Sequence, residues 1–361
     1  MYVNNGEPDL PLLTCEIMKT VKTPLTQGMG TTMSHTKKCI ALLSSFLFII
    51  VFILPAIADA AAKKILLRLG HEMPESHPYH AGALKFAEIL NEKANGEITI
   101  QVFPNGTLGR QAQLIDGLTM GTVDLALTNT VVLEKYEPLM SVLVMPYVIR
   151  GWDHVYKVVD GEIGVDLNKR LEKKGIQVLA YHEIGLTNIN SIKPIKHPDD
   201  VKGIKLRVQP GPSYVEVGKA LGAVVATTAF GEVYTALQLG TIDAQVQSAS
   251  NIRLSKHYEV AKYYVVNELG FFLEPLSMSQ MVYERMSPEH QKALKEAAYE
   301  SALWQRPYAR GKQDEDLAYL EKNYGVIVTR PDVSEWRAVI EPIHEKFPQW
   351  VDLIHKIKAV Q

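Results

Sequence analysis

The arginine at position 207 sits in a pattern that suggests a chemical task. In GIKLRVQPGP, starting at Gly203, Ile204, Leu206 and Val208 alternate with Lys205 and Arg207, a period of two that marks a strand. The alternation turns Arg207 away from the face that the three aliphatic side chains bury. Gln209-Pro210-Gly211-Pro212 ends the strand at once. A guanidinium near the carboxyl end of a strand stands where open α/β sheets bind ligands. Its planar fork suits a carboxylate, offering two parallel hydrogen bonds and a charge that does not titrate away. The alternative is a strand arginine paired with a surface carboxylate, a contact worth little.

Other candidate constellations lead to blander readings. His71, His77 and His80 lie close together, but their spacing matches no zinc signature, and no metal is expected. His77-Pro78 reads instead as a helix start. Gly106 and Gly109 form neither nucleotide-binding fingerprint and read as turn glycines ahead of a helix. No G-x-S-x-G elbow and no H-E-x-x-H occurs. That weakens hydrolase and metalloprotease readings, and neither catalytic residues nor a cofactor are expected. Glu232 falls at a helix start, where a carboxylate suits the helix dipole whatever its function. Glu232 and Tyr234 are expected to be structural, whereas Phe230 could pack against the apolar part of a ligand.

The elements that position these residues alternate. Ile65–Gly70 is a short apolar strand, and Pro78 opens a helix closed by Gly96. Ile98, Ile100 and Val102 alternate as a strand, and Pro104-Asn105-Gly106 turns the chain. A helix from about Arg110 to Met120 precedes a buried strand at Val123–Thr128. The rhythm continues through Val142–Val148, Asp153–Lys174 and Gln177–Tyr181, then through Asp199–Asn251 as strand, helix, short strand, helix, strand. An apolar strand is expected at about Leu273–Val282, after a turn-rich GLTNINSIKP at Gly185–Pro194. This is the pattern of an α/β fold with a mainly parallel sheet covered on both faces. Ser287-Pro288-Glu289 then starts a helical pattern with no glycine until Gly311, which either continues to Lys322 or breaks there.

Several segments resemble the solute-binding proteins of tripartite ATP-independent periplasmic (TRAP) transporters, the DctP-like family. They are GIKLRV at Gly203, ALGA at Ala220, FGEVYTALQLGTIDAQ at Phe230, GHEMPESHPYH at Gly70, FPNGTLG at Phe103 and DLALTN at Asp124. The match runs from about Ile65 to Phe347. The resemblance implies a two-lobed periplasmic binding protein, a class II-like clamshell that closes on an organic acid and hands it to a membrane permease. It implies one long helix bracing both lobes. Lobe I would comprise 61–186 and about 272–312, and lobe II about 187–271 and 313–361. It also implies that Arg207 fixes the ligand carboxylate.

Asp243-Ala244-Gln245-Val246-Gln247 resembles the family's DGQEN segment, whose last residue reaches the ligand. Here that residue is Gln247, a longer amide. Where many relatives carry a second arginine, GLTN has Leu186 and Thr187. A dicarboxylate favours two cationic clamps, because an unpaired buried carboxylate is expensive. One clamp therefore points to a monocarboxylate or a less charged polar ligand, with Asn188 as a further contact. His71 and Asn129 each follow a strand where the family's first lobe meets ligand.

The bulk properties agree with a globular chain of 361 residues, 47% apolar and 22% charged. A net charge of −2 supplies no basic field for nucleic acid. Lys37 and Lys38 precede a charge-free run from Cys39 to Ala58 with small residues at its end, the pattern of a cleaved secretory signal peptide. A membrane anchor is the rival reading, since about twenty uncharged residues can span a bilayer. Met33 would give a conventional signal peptide, so residues 1–60 read as leader behind a start set too early. Cys15 and Cys39 both lie in it, which leaves the mature chain without a thiol. The expectation is a monomeric periplasmic binding protein whose partners are a small organic acid and the TRAP permease subunits. A secreted enzyme acting on such acids and a chemosensory binding protein are the alternatives.

Overall fold

The computed structural model describes residues 64–361. The expected leader, and with it the signal peptide and its anchor alternative, lies outside the described residues. Strand β1 (Ile65–Gly70) runs parallel to β2 (Ile98–Phe103) on one side and to β3 (Leu125–Leu127) on the other. The helices Pro78–Lys93 and Gln111–Met120 make the crossovers. The first starts as its sequence requires. Pro78 occupies the first turn, where a missing N–H costs nothing, and the His77 ring accepts from the Tyr79 N–H. Gly121, at φ 71°, closes the second in the left-handed conformation that glycine adopts freely.

Two long antiparallel strands, β4 (Ile176–Ser191) and β8 (Tyr263–Ser279), join this set to a second one. In the second set, β5 (Lys205–Val208) lies parallel to β6 (Val224–Thr227) and to β7 (Ala244–Gln247). The sheet reads β2-β1-β3-β8-β4-β7-β5-β6 across, with β9 (Ile327–Thr329) paired to the start of β8. Leu67, Leu69, Leu125 and Leu127 are buried in one set, Leu206, Val208, Ala244 and Val246 in the other, and Leu273, Leu276 and Met278 of β8 between them. Crossover helices covering both faces of parallel strands explain these near-continuous apolar runs.

The structure corrects the expected elements in four places. Gly185–Pro194 is not a turn, because β4 runs through it to Ser191. Its asparagines are buried but bonded. Asn190 donates to the carbonyls of Ala261 and Tyr263, both at 3.0 Å, and the strand absorbs its irregularity at Gly185, φ 125°, between two register shifts. Val142–Val148 holds a helical turn, Ser141–Val144, that Pro146 prevents from continuing. Asp153–Lys174 is two helices, Trp152–Val159 and Glu162–Glu172, separated at Asp160-Gly161. The strand expected at about Leu273–Val282 begins ten residues earlier, at Tyr263.

The helix that begins at Pro288 is unbroken to Tyr324, 37 residues, or about 55 Å at ~1.5 Å per residue. Ser287 caps it by accepting from the His290 N–H, and Gly325 ends it at φ 65°. Gly311 passes through without a break. Along its length Lys93 reaches Glu300 at 2.8 Å, Gln305 exchanges two hydrogen bonds with the Glu183 backbone, and Arg253 pairs with Asp316. The helix thus touches the first crossover helix, the middle of β4 and the segment after β7. Among the described residues no helix is long and apolar enough to cross a membrane.

Candidate ligand-binding cavity

Residues that follow β1, β3, β5 and β7 converge on one cavity, placed by those strands at their carboxyl ends. It has about 120 Å³ open to the centres of water-sized groups, on the order of ten waters' worth and the scale of a small metabolite. Ile184 of β4, Phe272 of β8, Met73, Val131 and Phe230 give it apolar surface.

Arg207 is buried, 1% exposed, with apolar neighbours on both sides of its strand, so the outward face expected from the alternation is a second interior. Its Nε donates to the Thr228 carbonyl at 2.9 Å, while Nη1 has no partner among the described residues. Burial lowers its pKa to about 10, with Glu72 opposing the shift, so it stays charged at neutral pH. A desolvated guanidinium with an unmet donor needs an acceptor from elsewhere.

Two residues along, on the same side of the strand, Gln209 donates Nε2 to the Val246 carbonyl at 3.2 Å, and its buried Oε1 lacks a partner among the described residues. Gln247 ends β7. Its Oε1 accepts from the Ser248 N–H at 2.9 Å and from Asn251 Nδ2 at 2.8 Å, which leaves Nε2 as its free group.

Across the cavity, Glu72 is half-buried and accepts from Gln111 Nε2. Burial raises its pKa, while the Gln111 bond and the charges of Arg110 and Arg207 act the other way. Gln111 Oε1 accepts from the Asn129 N–H at 2.8 Å, and Asn129 Nδ2 donates to Glu274 at 3.0 Å. Burial pushes the pKa of Glu274 well above the ordinary carboxylate value, with the negative charge of Glu72 adding to it. Arg110 also borders the cavity, its guanidinium lying over the backbone of Gly231.

Of the residues singled out from sequence, Arg207, Gln247, Asn129 and Phe230 lie together on the wall. His71 and Asn188 do not. The His71 ring is fully buried and turned toward His80, Nε2 to Nδ1 at 3.2 Å, and burial lowers its pKa to about 3. Asn188 sits behind Gln247, donating to the Tyr264 hydroxyl at 3.0 Å and accepting from the Glu268 N–H at 2.9 Å. Glu72, Arg110, Gln111, Gln209 and Asn251 were not singled out. Gln209 was within reach of the alternation rule, two residues from Arg207, and Asn251 stands one helical turn beyond Gln247. Glu72, Arg110 and Gln111 carry no local signal that sets them apart from surface residues. No group of three or more His, Cys, Asp or Glu suited to a metal ion occurs among the described residues.

The family model for bacterial extracellular solute-binding proteins, family 7 (DctP), matches residues 69–349. The chain is 31% identical over 301 residues to the 2,3-diketo-L-gulonate-binding periplasmic protein of Escherichia coli, covering 82% of this chain and 92% of that one. It is 28% identical over 310 residues to the C4-dicarboxylate-binding periplasmic protein of Rhodobacter capsulatus, covering 83% and 92%. The crystal structure of a TRAP periplasmic solute-binding protein from a Sulfitobacter species with bound β-D-galacturonate superposes with a TM-score of 0.78 at 30% identity, covering 81% of this chain and 99% of that one. The fold is therefore the mixed α/β fold of periplasmic binding proteins, with the long helix touching segments of both strand sets. This is a family of binding proteins rather than enzymes. The chain belongs to the DctP family of TRAP-transporter solute-binding proteins.

Proposed function

We propose that this protein captures a polyhydroxylated monocarboxylate, a sugar acid, on the far side of the inner membrane and delivers it to TRAP membrane subunits. The observation that carries the reading is the buried Arg207 with Nη1 unmet among the described residues, beside the buried acceptor Gln209 Oε1. A carboxylate answers the guanidinium and the Gln247 amide N–H. Hydroxyl groups answer Gln209 Oε1 and the Glu72 carboxylate, both acceptors. The position of Leu186, where a second arginine would help a second carboxylate, supports one acidic end. Relatives binding galacturonate and diketogulonate, both hydroxylated monocarboxylates, support the same class, while the dicarboxylate-binding relative marks the competing one.

In this reading the parts before Leu186 and from about 272 to 312 form one lobe, and about 187–271 and 313–361 the other. The bend at Gly185 and the neighbouring register shifts make the crossing strands the hinge, and ligand shifts an open–closed equilibrium by its preference for the closed form. Peptide mapping of exported protein is expected to place the mature amino terminus near Asp59–Ala61. An intact Met1 would exclude the cleaved leader.

Thermal melts with D-galacturonate, D-galactose and succinate test the ligand class. A ligand at one hundred times its dissociation constant adds about 2.7 kcal/mol. D-Galacturonate is expected to raise the melting temperature at low concentration, and galactose, which lacks the carboxylate, to leave it unchanged. Succinate as the tightest of the three would overturn the monocarboxylate reading.

A further inference from the structure

A line of buried side chains runs from the start of the first crossover helix to the cavity. Each of its hydrogen bonds has a defined direction. The Tyr79 N–H donates to His77 Nδ1 at 3.1 Å, which makes that nitrogen the acceptor. The ring proton is then on Nε2, which donates to Asn251 Oδ1 at 2.7 Å. With its oxygen turned to His77, Asn251 presents Nδ2 to Gln247 Oε1 at 2.8 Å. The Ser248 N–H reaches the same oxygen at 2.9 Å. His77, Asn251 and Gln247 are 1%, 2% and 2% exposed, so water does not compete for these bonds.

An amide is nearly symmetric in shape, and its two ends differ only in what they donate or accept. Left to itself, Gln247 could offer the cavity either an oxygen or an NH₂ group. Two donors already converge on its oxygen, and reversing the amide would set NH₂ against both. We propose that His77 and Asn251 are positioning residues that fix the polarity of Gln247, so that it adds an N–H donor to the unmet donor of Arg207 and the pair selects an anionic oxygen there. His77 follows β1 and Asn251 follows β7, strands that are four places apart in the sheet. The polarity of the binding amide is therefore set from the opposite set of strands, and it is complete only when the two sets are together.

The proposal rests on the sugar-acid reading for its probe. D-Galacturonate affinity is measured by calorimetry for wild type, Asn251→Asp, Gln247→Ala and the double variant. Asn251→Asp keeps the shape and the His77 bond but sets an oxygen against Gln247 Oε1. It is expected to weaken D-galacturonate at least tenfold in the wild-type background and less than twofold in the Gln247→Ala background. Equal losses in both backgrounds, or no loss in either, would mean that Asn251 acts independently of Gln247 and would overturn the proposal. Should Asn251→Asp not fold, His77→Gln run through the same cycle gives the same decision.

A ligand-free readout separates this proposal from the sugar-acid reading. Nitrogen-15 spectra of the histidine rings are expected to show His77 protonated on Nε2, and a ring protonated on Nδ1 overturns the relay. A wild type that ignores D-galacturonate overturns the sugar-acid reading alone, and the ring spectrum still decides the relay.

Discussion

On the β5–β7 side of the cavity Arg207 reaches one backbone carbonyl and has no partner for Nη1 among the described residues, while on the β1–β3 side Glu72, Gln111, Asn129 and Glu274 bond to one another in sequence. The first wall is preorganised for a guest, since its donors are fixed, dry and short of acceptors. The second wall is largely self-satisfied, and its remaining contributions are the outer part of a carboxylate, the Arg110 guanidinium at the border and its shape. Binding energy should therefore be concentrated on the first wall and selectivity among hydroxylated acids on the second.

The contrast fails first if Arg207 is dispensable. Truncating one side of a desolvated charge pair costs about 2–5 kcal/mol, so Arg207→Ala is expected to weaken D-galacturonate by roughly 30-fold or more in calorimetry. A loss below threefold would remove Arg207 from the ligand and with it the distinction between the walls. Arg207→Lys should also bind worse, because an ammonium cannot reproduce the fork.

That centre of the site was legible in sequence because it depends on local pattern. A two-residue period ending at Gln209-Pro210 identified both the strand and its last charged residue. The start of the long helix was legible for the same reason, since Ser287-Pro288 is a local signal, whereas its passage through Gly311 was left open and depends on the contacts along its length. The long strands were not. β4 crosses GLTNINS because Asn188 and Asn190 are satisfied by Tyr264, Glu268 and the 261–263 carbonyls, partners about seventy residues away. The second wall was hidden likewise. Gln111 and Glu72 are 39 residues apart, and it is the pairing of β1 with its neighbours in the sheet that brings the segments after β1 and β2 together. His71 was singled out and Glu72 beside it was not, yet the last turn of β1 directs the acid, not the ring, to the cavity.

Where the segments bearing the two walls meet, Ser213 Oγ donates to Glu134 at 2.8 Å, and pH should weaken this joint. Burial pushes Glu134 up to about 7 from an ordinary value of 4.5. Its contribution is fully present below the unfolded pKa and is lost as pH rises through the folded one, so stability declines between about pH 4.5 and 7. Glu134→Gln removes that slope and is expected to make the protein more stable than wild type at pH 8 by about 1–3 kcal/mol, read from denaturant midpoints. Glu183, pushed up to about 8 by burial, keeps a second part of the slope in the variant. A variant less stable than wild type at both pH 5 and pH 8 would show that the carboxyl group is needed for packing and is not a titrating cost.

A smaller effect separates the walls by selectivity. Glu72→Gln keeps the Gln111 bond, since its amide oxygen still accepts, but replaces the charged acceptor with an amide. A hydrogen bond to a charged group is worth about 1.5–3 kcal/mol and one to a neutral group about 0.5–1.5, so the exchange costs about 1–1.5 kcal/mol. D-Galacturonate should weaken by about five- to tenfold, and propionate, which has no hydroxyl to donate, should change little. Equal losses for both acids would place Glu72 with Arg207 as part of the carboxylate grip.

The finest test concerns Arg110, a cation on the second wall whose guanidinium lies over Gly231. A Cβ added at Gly231 would overlap the Arg110 guanidinium, so Gly231→Ala must displace it. The displacement is cheap for the fold, because the atoms that give way are the far end of an exposed flexible side chain, and stability should stay within about 0.5 kcal/mol. If Arg110 adds a second, weaker pull on the acidic end, Gly231→Ala and Arg110→Ala should each cost D-galacturonate about threefold, and together no more than either alone, because the first change already removes what the second deletes. Their losses would be smallest at high salt, since an exposed charge is screened and the dry Arg207 contact is not. Independent losses that multiply would assign Gly231 a role of its own in closing the cavity, and the second wall would then differ from the first in shape alone.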